Sequence, residues 1–176
     1  MNIIIRQEQP QDYKETESVI KLAFSSVTIS DKTEHELVAR IRKSDAFVPE
    51  LSLVAKIDNQ VIGHVLLSRI KINSENKSTE SLALAPVSVL PELQQKGVGK
   101  LLINTVLQMA TDLDFKSVIV LGHPEYYSKF GFKPASLWGI NAPFNVPDEV
   151  FMALELSDQA LNKQSGTVEY PNTFKN

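Results

Sequence analysis

The 176-residue chain contains no cysteine. Disulfides, thiolate metal sites and a cysteine nucleophile are therefore excluded, and any acyl transfer must be direct or use another nucleophile. No apolar run approaches the roughly 20 residues of a membrane-spanning helix. The N-terminal residues 1–6 are too few, and lack the pattern, for a signal peptide. We therefore expect a cytoplasmic protein without a membrane partner.

The chain also lacks a strong excess of either charge. Its net charge of −3 argues against broad binding to nucleic acids or acidic membranes. Hydrophobic residues make up 43% and charged residues 22% of the chain, which is the balance of a soluble globular protein. We find no internal repeat or domain boundary, and we expect residues 1–176 to form a single domain.

Hydrophobic periodicity predicts a mixed α/β chain. Predicted strands cover residues 3–6, 51–57, 60–72, 82–90, 117–121, 150–156 and 166–170. Predicted helices cover residues 11–24, a segment behind the capping-box pattern Thr33-x-x-Glu36 that runs to about residue 44, residues 98–113, and a short segment from Pro124 to a stop at Gly131. Residues 25–31, 74–81 and 135–147 are predicted to be loops, and Pro86 is expected to mark a bulge in its strand.

The segment of residues 87–100 organises the rest of the chain. An apolar strand stops at Pro91, a polar corner follows, and a helix begins among Lys96, Gly97, Gly99 and Lys100. A helix N-terminus presents free N–H groups and positive potential, which suit an anion such as a pyrophosphate. The glycines allow a ligand to approach the backbone closely, although an ordinary helix entrance with two tolerated glycines remains the alternative. The spacing fits neither the P-loop nor the Rossmann fingerprint.

The pattern Gln94-x-x-Gly97-x-Gly99 resembles the acetyl-CoA-binding signature of the GCN5-related N-acetyltransferase (GNAT) superfamily. The resemblance implies a central mixed sheet with a splayed parallel strand pair, flanked by helices. It also implies acetyl-CoA as co-substrate. The cofactor contacts implied are Val87, Val89, Leu90, Gln94, Gln95, Lys96, Gly97, Val98, Gly99, Lys100 and Tyr127.

A second element, Tyr127-x-x-x-Gly131-Phe132, resembles the Tyr-x-x-x-Gly-Phe motif that follows the fifth strand in the same superfamily. The run of residues 122–127, with residues 144 and 147–156, looks like a largely uncharacterised bacterial subgroup of predicted acetyltransferases. Many members of the superfamily carry an asparagine just after the fifth strand, where this chain has Gly122 and His123. A cofactor contact from that asparagine is therefore not expected here.

The ordinary pKa values of amines, thiols and tyrosine show which proton transfers the mechanism of the family requires. An amine attacks the thioester as a free base, which costs about 4.6 kcal/mol at pH 7 for a lysine-like amine and about 1 kcal/mol for an α-amino group. The backbone N–H of Val89 is a candidate donor to the oxyanion. Full proton donation from Tyr127 to the CoA thiolate is uphill by roughly 2 kcal/mol, so a strengthening hydrogen bond is the more economical role. Tyr126 is assigned to packing, which is also the alternative for Tyr127.

The general base is not decided by the sequence. His64 is our catalytic candidate on the long third strand, with His35 and His123 as alternatives. Glu36 and Glu50 are acidic options near the expected acceptor site. For each of these, a structural or solvated role is the alternative.

The resemblance therefore implies an N-acetyltransferase that acts on a primary amine of a small molecule or peptide. A non-catalytic acyl-CoA sensor and another kind of nucleotide-phosphate binder are the alternatives. The acceptor pocket is expected to be formed by the first two helices, residues 25–31 and the late strands, and the net acidity weakly favours a cationic acceptor. The oligomeric state is left open, with a homodimer as one alternative to a monomer.

Overall fold

A mixed β-sheet runs through the molecule and carries helices on both faces. The computed structural model describes residues 2–28 and 30–175, and within them it has the following elements. The helices are α1 (Tyr13–Phe24), α2 (Glu34–Arg42), α3 (Val98–Asp112) and α4 (Pro124–Tyr127). The strands are β1 (Ile4–Gln7), β2 (Phe47–Ile57), β3 (Gln60–Asn73), β4 (Ser78–Val89), β5 (Ser117–Leu121), β6 (Lys133–Pro134), β7 (Ile140–Asn141), β8 (Phe151–Glu155) and β9 (Gly166–Glu169).

The sheet changes direction between β4 and β5. Strands β1 to β4 form an antiparallel series, and β5, β8 and β6 form a second one. The two halves meet through the parallel pairs Leu82–Val118 and Ala83–Ile119, although β4 continues to Val89. The predicted mixed sheet with a splayed parallel pair is confirmed, and the splay leaves an opening beside the last residues of β4.

The two faces of β3 explain why that strand is almost continuously apolar. Gly63 faces α3, and a Cβ atom at this position would lie 3.1 Å from the Leu102 side chain. Leu66, on the opposite face, packs with Ile20 of α1 and Ile41 of α2. A strand that is covered on both faces needs apolar residues at odd and even positions alike.

Strand β4 begins earlier than the sequence predicted. The polar loop expected at residues 74–81 is wrong for its second half, because residues 78–81 already pair with β3. Ser81 is buried, and its hydroxyl lies 2.7 Å from that of Ser117 on β5, so this polar residue is satisfied inside the sheet. The expected bulge at Pro86 is present: Val87 pairs with Val65, but the next recorded pair is Leu84 with Leu67.

The capping box predicted at the start of α2 is not formed. Thr33 occupies the N-cap position, but its side chain makes no capping hydrogen bond. Its hydroxyl and its backbone N–H both donate to the Asp31 carboxylate, at 2.6 and 3.0 Å. The preceding aspartate therefore competes for the group that would have capped the helix.

The C-terminal segment closes the sheet beside β3. Strand β9 pairs with residues 71–73 of β3, next to the part of β3 that β2 covers, and it also pairs with β7. The segment 135–147, expected to be a loop, contains β7 and a short 3-10 helix, Ala135–Trp138. Among the described residues, no helix has both the length and the apolar character needed to cross a membrane.

Candidate functional site

The N-terminus of α3 presents a row of free backbone donors. The N–H groups of residues 95–100 have no acceptor among the described residues, and Leu101 is the first amide of the segment to donate, to the Gly97 carbonyl at 3.0 Å. Gly97 adopts a left-handed conformation with φ of 87°, which turns the chain into the helix. Free N–H groups and the helix dipole together form an anion-binding position.

The side chains of this loop take different roles. Val98 is buried in the core, so that only its backbone can meet a ligand, whereas Lys96 and Lys100 are exposed cations beside the free amides. Gln94 donates from Nε2 to the Val89 carbonyl at 3.0 Å. This bond ties the loop to the last residue of β4.

The backbone N–H of Val89 points into the opening of the sheet. Leu90 donates to the Ile62 carbonyl on the β3 side at 2.9 Å, and successive amides of a strand point in opposite directions. The N–H and C=O of Val89 therefore face away from β3, towards the side where β5 has diverged. Because Gln94 binds the Val89 carbonyl, the Val89 N–H is the group left to bind a ligand. The N–H and C=O of Val87, two residues earlier, also face away from β3.

Tyr127 stands at the end of α4 in an aromatic cluster. Its ring lies 5.0 Å from that of Tyr126 and 5.7 Å from that of Phe132, and only 9% of the residue is exposed. Burial, together with the charge of Tyr126, raises the pKa of Tyr127 to about 12. Gly122 packs against one side of the Tyr127 ring, and a Cβ atom at this position would lie 2.3 Å from the ring. The glycine found in place of the expected asparagine is thus a steric requirement of this tyrosine.

Tyr126 links the two sequence motifs. A Cβ atom at Gly99 would lie 3.2 Å from the Tyr126 hydroxyl, so this hydroxyl sits at the first turn of α3 beside the free amides. The residue is 36% exposed, and burial raises the pKa of its hydroxyl. The sequence assigned Tyr126 to packing, because the resemblance identifies the tyrosine four residues before Gly131 and gives no signal for its neighbour.

A cleft of about 780 Å³ opens where β4 and β5 diverge. Its walls include the residues Ala83, Leu84 and Ala85 of β4 and Ile119 and Leu121 of β5. Aromatic residues of the C-terminal half cover it, namely Phe144, Tyr170 and Phe174. Strand β9 and Leu37 of α2 contribute to the lining, whereas α1 and the described part of residues 25–31 do not. The sequence did not predict that these three aromatic residues cover the cleft, because they come from separate segments that meet only in the folded chain.

None of the five general-base candidates lines this cleft. His64 is fully buried, with Nε2 2.9 Å from the Ser52 hydroxyl, and its Nδ1 has no hydrogen-bond partner. Glu36, Glu50 and His123 are exposed, and His35 is partly buried, all outside the cleft lining. Direct proton abstraction by any of them is not supported by these positions, and His64 remains a prediction in its catalytic role.

A buried ionic network that the sequence did not predict surrounds His64. The Glu8 carboxylate, with a fully buried side chain, accepts from Arg42 at 2.7 Å and from the Ser52 hydroxyl at 2.7 Å. Burial alone would raise the pKa of Glu8, but the nearby His64, with Nε2 3.7 Å from the carboxylate, the charge of Arg42 and the Ser52 hydroxyl lower it to about 2. Arg42 also binds Glu17 at 2.6 Å. No cluster of metal-binding side chains is found among the described residues.

Sequence comparisons identify related acetyltransferases. The profile of the acetyltransferase (GNAT) family matches residues 16–132. The chain is 30% identical over 173 residues to the uncharacterized N-acetyltransferase YhbS of Escherichia coli K12, with 98% of each protein covered. It is 38% identical over 117 residues to the uncharacterized N-acetyltransferase YjhQ of the same strain, where the match covers 66% of this chain and 65% of YjhQ, less than two thirds of that relative.

Solved structures with the same architecture include complexes with the co-substrate. A GNAT family acetyltransferase from Brucella melitensis in complex with acetyl-CoA is 32% identical and superimposes with a TM-score of 0.81 over 99% of each chain. The YhbS structure from Escherichia coli in complex with CoA is 27% identical, with a TM-score of 0.89 over 100% of this chain and 93% of that one. The range 16–132 matched by the family profile includes both the free amides of residues 95–100 and the tyrosine pair of α4.

Proposed function

The chain belongs to the acetyltransferase (GNAT) family and is an acetyl-CoA-dependent acyltransferase, and from this premise we propose that it transfers the acetyl group to the nitrogen of a primary amine. The observation that carries the proposal is the row of free amides at residues 95–100, with the Tyr126 hydroxyl beside it and an opening between two diverging strands next to it. This arrangement provides an anion site and room for an acceptor within one region.

The proposed role of the loop is to hold the diphosphate of acetyl-CoA. The backbone N–H groups of residues 95–100 bind the phosphate oxygens, and Lys96 and Lys100 add positive charge from the exposed side. Acetyl-CoA supplies an acetyl group activated as a thioester. Gln94 keeps the loop against β4, so that the bound acetyl group is directed into the opening of the sheet.

The proposed role of Val89 is to stabilise the acetyl oxygen. Its N–H faces the opening and has no acceptor among the described residues, which suits it to donate to an oxygen that gains negative charge. A fixed backbone donor needs no reorganisation when this charge develops.

Tyr127 is proposed as the donor to the departing sulfur. In the reaction the amine nitrogen forms a bond to the acetyl carbon, the carbon–sulfur bond breaks, the amine loses one proton and the sulfur gains one. With a pKa of about 12, the tyrosine keeps its proton at neutral pH and can donate a hydrogen bond as thiolate charge builds. Full transfer of that proton to a thiolate of pKa about 8.5 is strongly uphill.

The experiment combines calorimetry with an assay of CoA release. We expect saturable binding of acetyl-CoA and amine-dependent release of CoA. The variant Tyr127→Phe should lower kcat by roughly 10- to 100-fold while the Kd for acetyl-CoA changes less than about twofold, because the lost bond strengthens in the transition state. Tyr13→Phe is the matched control, since Tyr13 lies under the Arg42 guanidinium on α1, outside the cleft. Binding without CoA release on a broad amine panel would contradict the proposal and favour an acyl-CoA sensor.

A further inference from the structure

We propose that the cleft between the diverging strands accepts a small monoamine whose apolar body is about the size of an aromatic ring. This inference rests on the acetyl transfer proposed above and adds the class of acceptor. It is argued from the walls, the cover, the charge and the size of the cleft.

The strand walls of the cleft are apolar and leave space. Ala83 and Ala85 on β4 present only methyl groups to it, and Ile119 and Leu121 line the β5 side. Leu121 is 49% exposed, which is a large exposed fraction for a leucine at the end of a buried strand. An apolar ligand would remove this surface from water at a gain of roughly 25 cal/mol per Å².

The cover of the cleft is aromatic. The rings of Phe144 and Tyr170 are stacked at 6.1 Å with an angle of 15° between their planes, and Phe174 lies 5.1 Å from Tyr170. Phe144 is nevertheless 45% exposed, so part of its ring is left uncovered by the chain. Aromatic side chains favour an aryl ring or an alkyl chain as their partner.

The charge of the cleft does not suit a polycation. Among the described residues that line it, Glu169 is the one carboxylate and Lys175 the one cationic side chain, and both residues are exposed. Burial raises the pKa of Tyr170 to about 12, so that this hydroxyl is neutral. A polyamine or a basic peptide would bring several ammonium groups into an apolar space where Glu169 alone could pair with them, which is costly.

The cleft also has the volume of a small-molecule site. Ligand pockets commonly measure about 300–1,000 Å³, and this one measures about 780 Å³. Two of its polar residues, Asn73 and Thr167, face each other in the register of β3 and β9. These dimensions fit a compact amine.

The test compares amines in the CoA-release assay. We expect kcat/KM for 2-phenylethylamine and hexylamine to exceed the values for spermidine and a trilysine peptide by at least tenfold, since one missing apolar contact costs about 10- to 200-fold. Equal or higher kcat/KM for spermidine or trilysine would overturn the inference and leave the proposed acetyl transfer intact. Binding of acetyl-CoA without transfer to any of the four amines would also overturn the inference, and the broad amine panel described above then decides whether acetyl transfer itself fails.

Variants of residues that line the cleft distinguish an effect on amine recognition from an effect on folding. Phe144→Ala should raise KM for 2-phenylethylamine about tenfold and change KM for methylamine less than twofold, because methylamine has no body to contact the ring. Leu121→Ala is the second variant, with the same expected pattern. Leu137→Ala is the control, since Leu137 is 67% exposed but does not line the cleft. Unchanged affinity for acetyl-CoA in calorimetry verifies the fold, and an equal effect on both amines would count against the proposal.

Discussion

At the scale of single residues, the position of Tyr127 requires a residue without a Cβ atom at position 122. The ring packs against the α-carbon of Gly122, where any side chain would occupy the space of the aromatic ring. Gly122 does not adopt a left-handed backbone conformation, so the need for glycine comes from the close approach of the ring and not from φ. The sequence showed only that an expected asparagine was missing, and the structure supplies the physical reason.

The variant Gly122→Ala should therefore displace the tyrosine. The added methyl group would lie 2.3 Å from the ring, so we expect a loss of about 1–3 kcal/mol in the free energy of unfolding and at least a tenfold loss of kcat. Chemical denaturation and the CoA-release assay measure the two effects. In a double-mutant cycle with Tyr127→Ala, the stability cost of the alanine at 122 should largely disappear. An undiminished cost in that background would show that the clash is not the cause.

At the scale of elements, the sequence predicted helix α3 and strand β5 to within one residue at each end, and it predicted the apolar part of strand β4. Their apolar patterns are long and regular, and the bulge at Pro86 follows from the missing N–H of proline. The polar start of β4 was missed because Ser81 finds its partner, Ser117, on a strand that is distant in the sequence. The capping box at Thr33 failed for the opposite reason, since a local competitor, Asp31, binds the same hydroxyl.

The N-terminus of α3 leads to a prediction about what holds the co-substrate. If backbone amides bind the diphosphate, removal of the neighbouring charges should have a modest effect. For the double variant Lys96→Ala, Lys100→Ala we expect Kd for acetyl-CoA to rise about three- to tenfold in 50 mM salt and to approach the wild-type value in 0.5 M salt, because both side chains are exposed.

Calorimetry at the two salt concentrations measures this effect. Lys116→Ala is a suitable control, because Lys116 follows α3 at its opposite end and binds Asp114. A loss of more than 100-fold that persists in 0.5 M salt would mean that the lysines, and not the amides, carry the binding.

At the scale of the whole molecule, the carboxylate of Glu8 connects several elements of the N-terminal half. Glu8 follows β1, and its partners come from β2 (Ser52), β3 (His64) and α2 (Arg42). Arg42 extends the network to Glu17 on α1. No local pattern marks these residues in the sequence, because charged residues on helices are usually solvated and the network exists only once five elements have packed. The buried position of His64, which the sequence offered as a base, is explained by the same packing.

This network predicts how stability depends on pH. The pKa of Glu8 is lowered from 4.5 to about 2 in the folded chain, so the folded state favours the ionised form. Its contribution, about 3 kcal/mol from the size of the shift, is present above pH 4.5 and is lost as the pH falls towards 2. Glu8→Gln should therefore lower the free energy of unfolding at pH 7 by about this amount and flatten its decline between pH 4.5 and 2. Urea unfolding at a series of pH values measures both effects, with Glu75→Gln as the control because Glu75 is exposed in the loop before β4. If the acid limb of Glu8→Gln had the same slope as that of the wild type, the charge responsible for the decline would have to reside on another carboxylate.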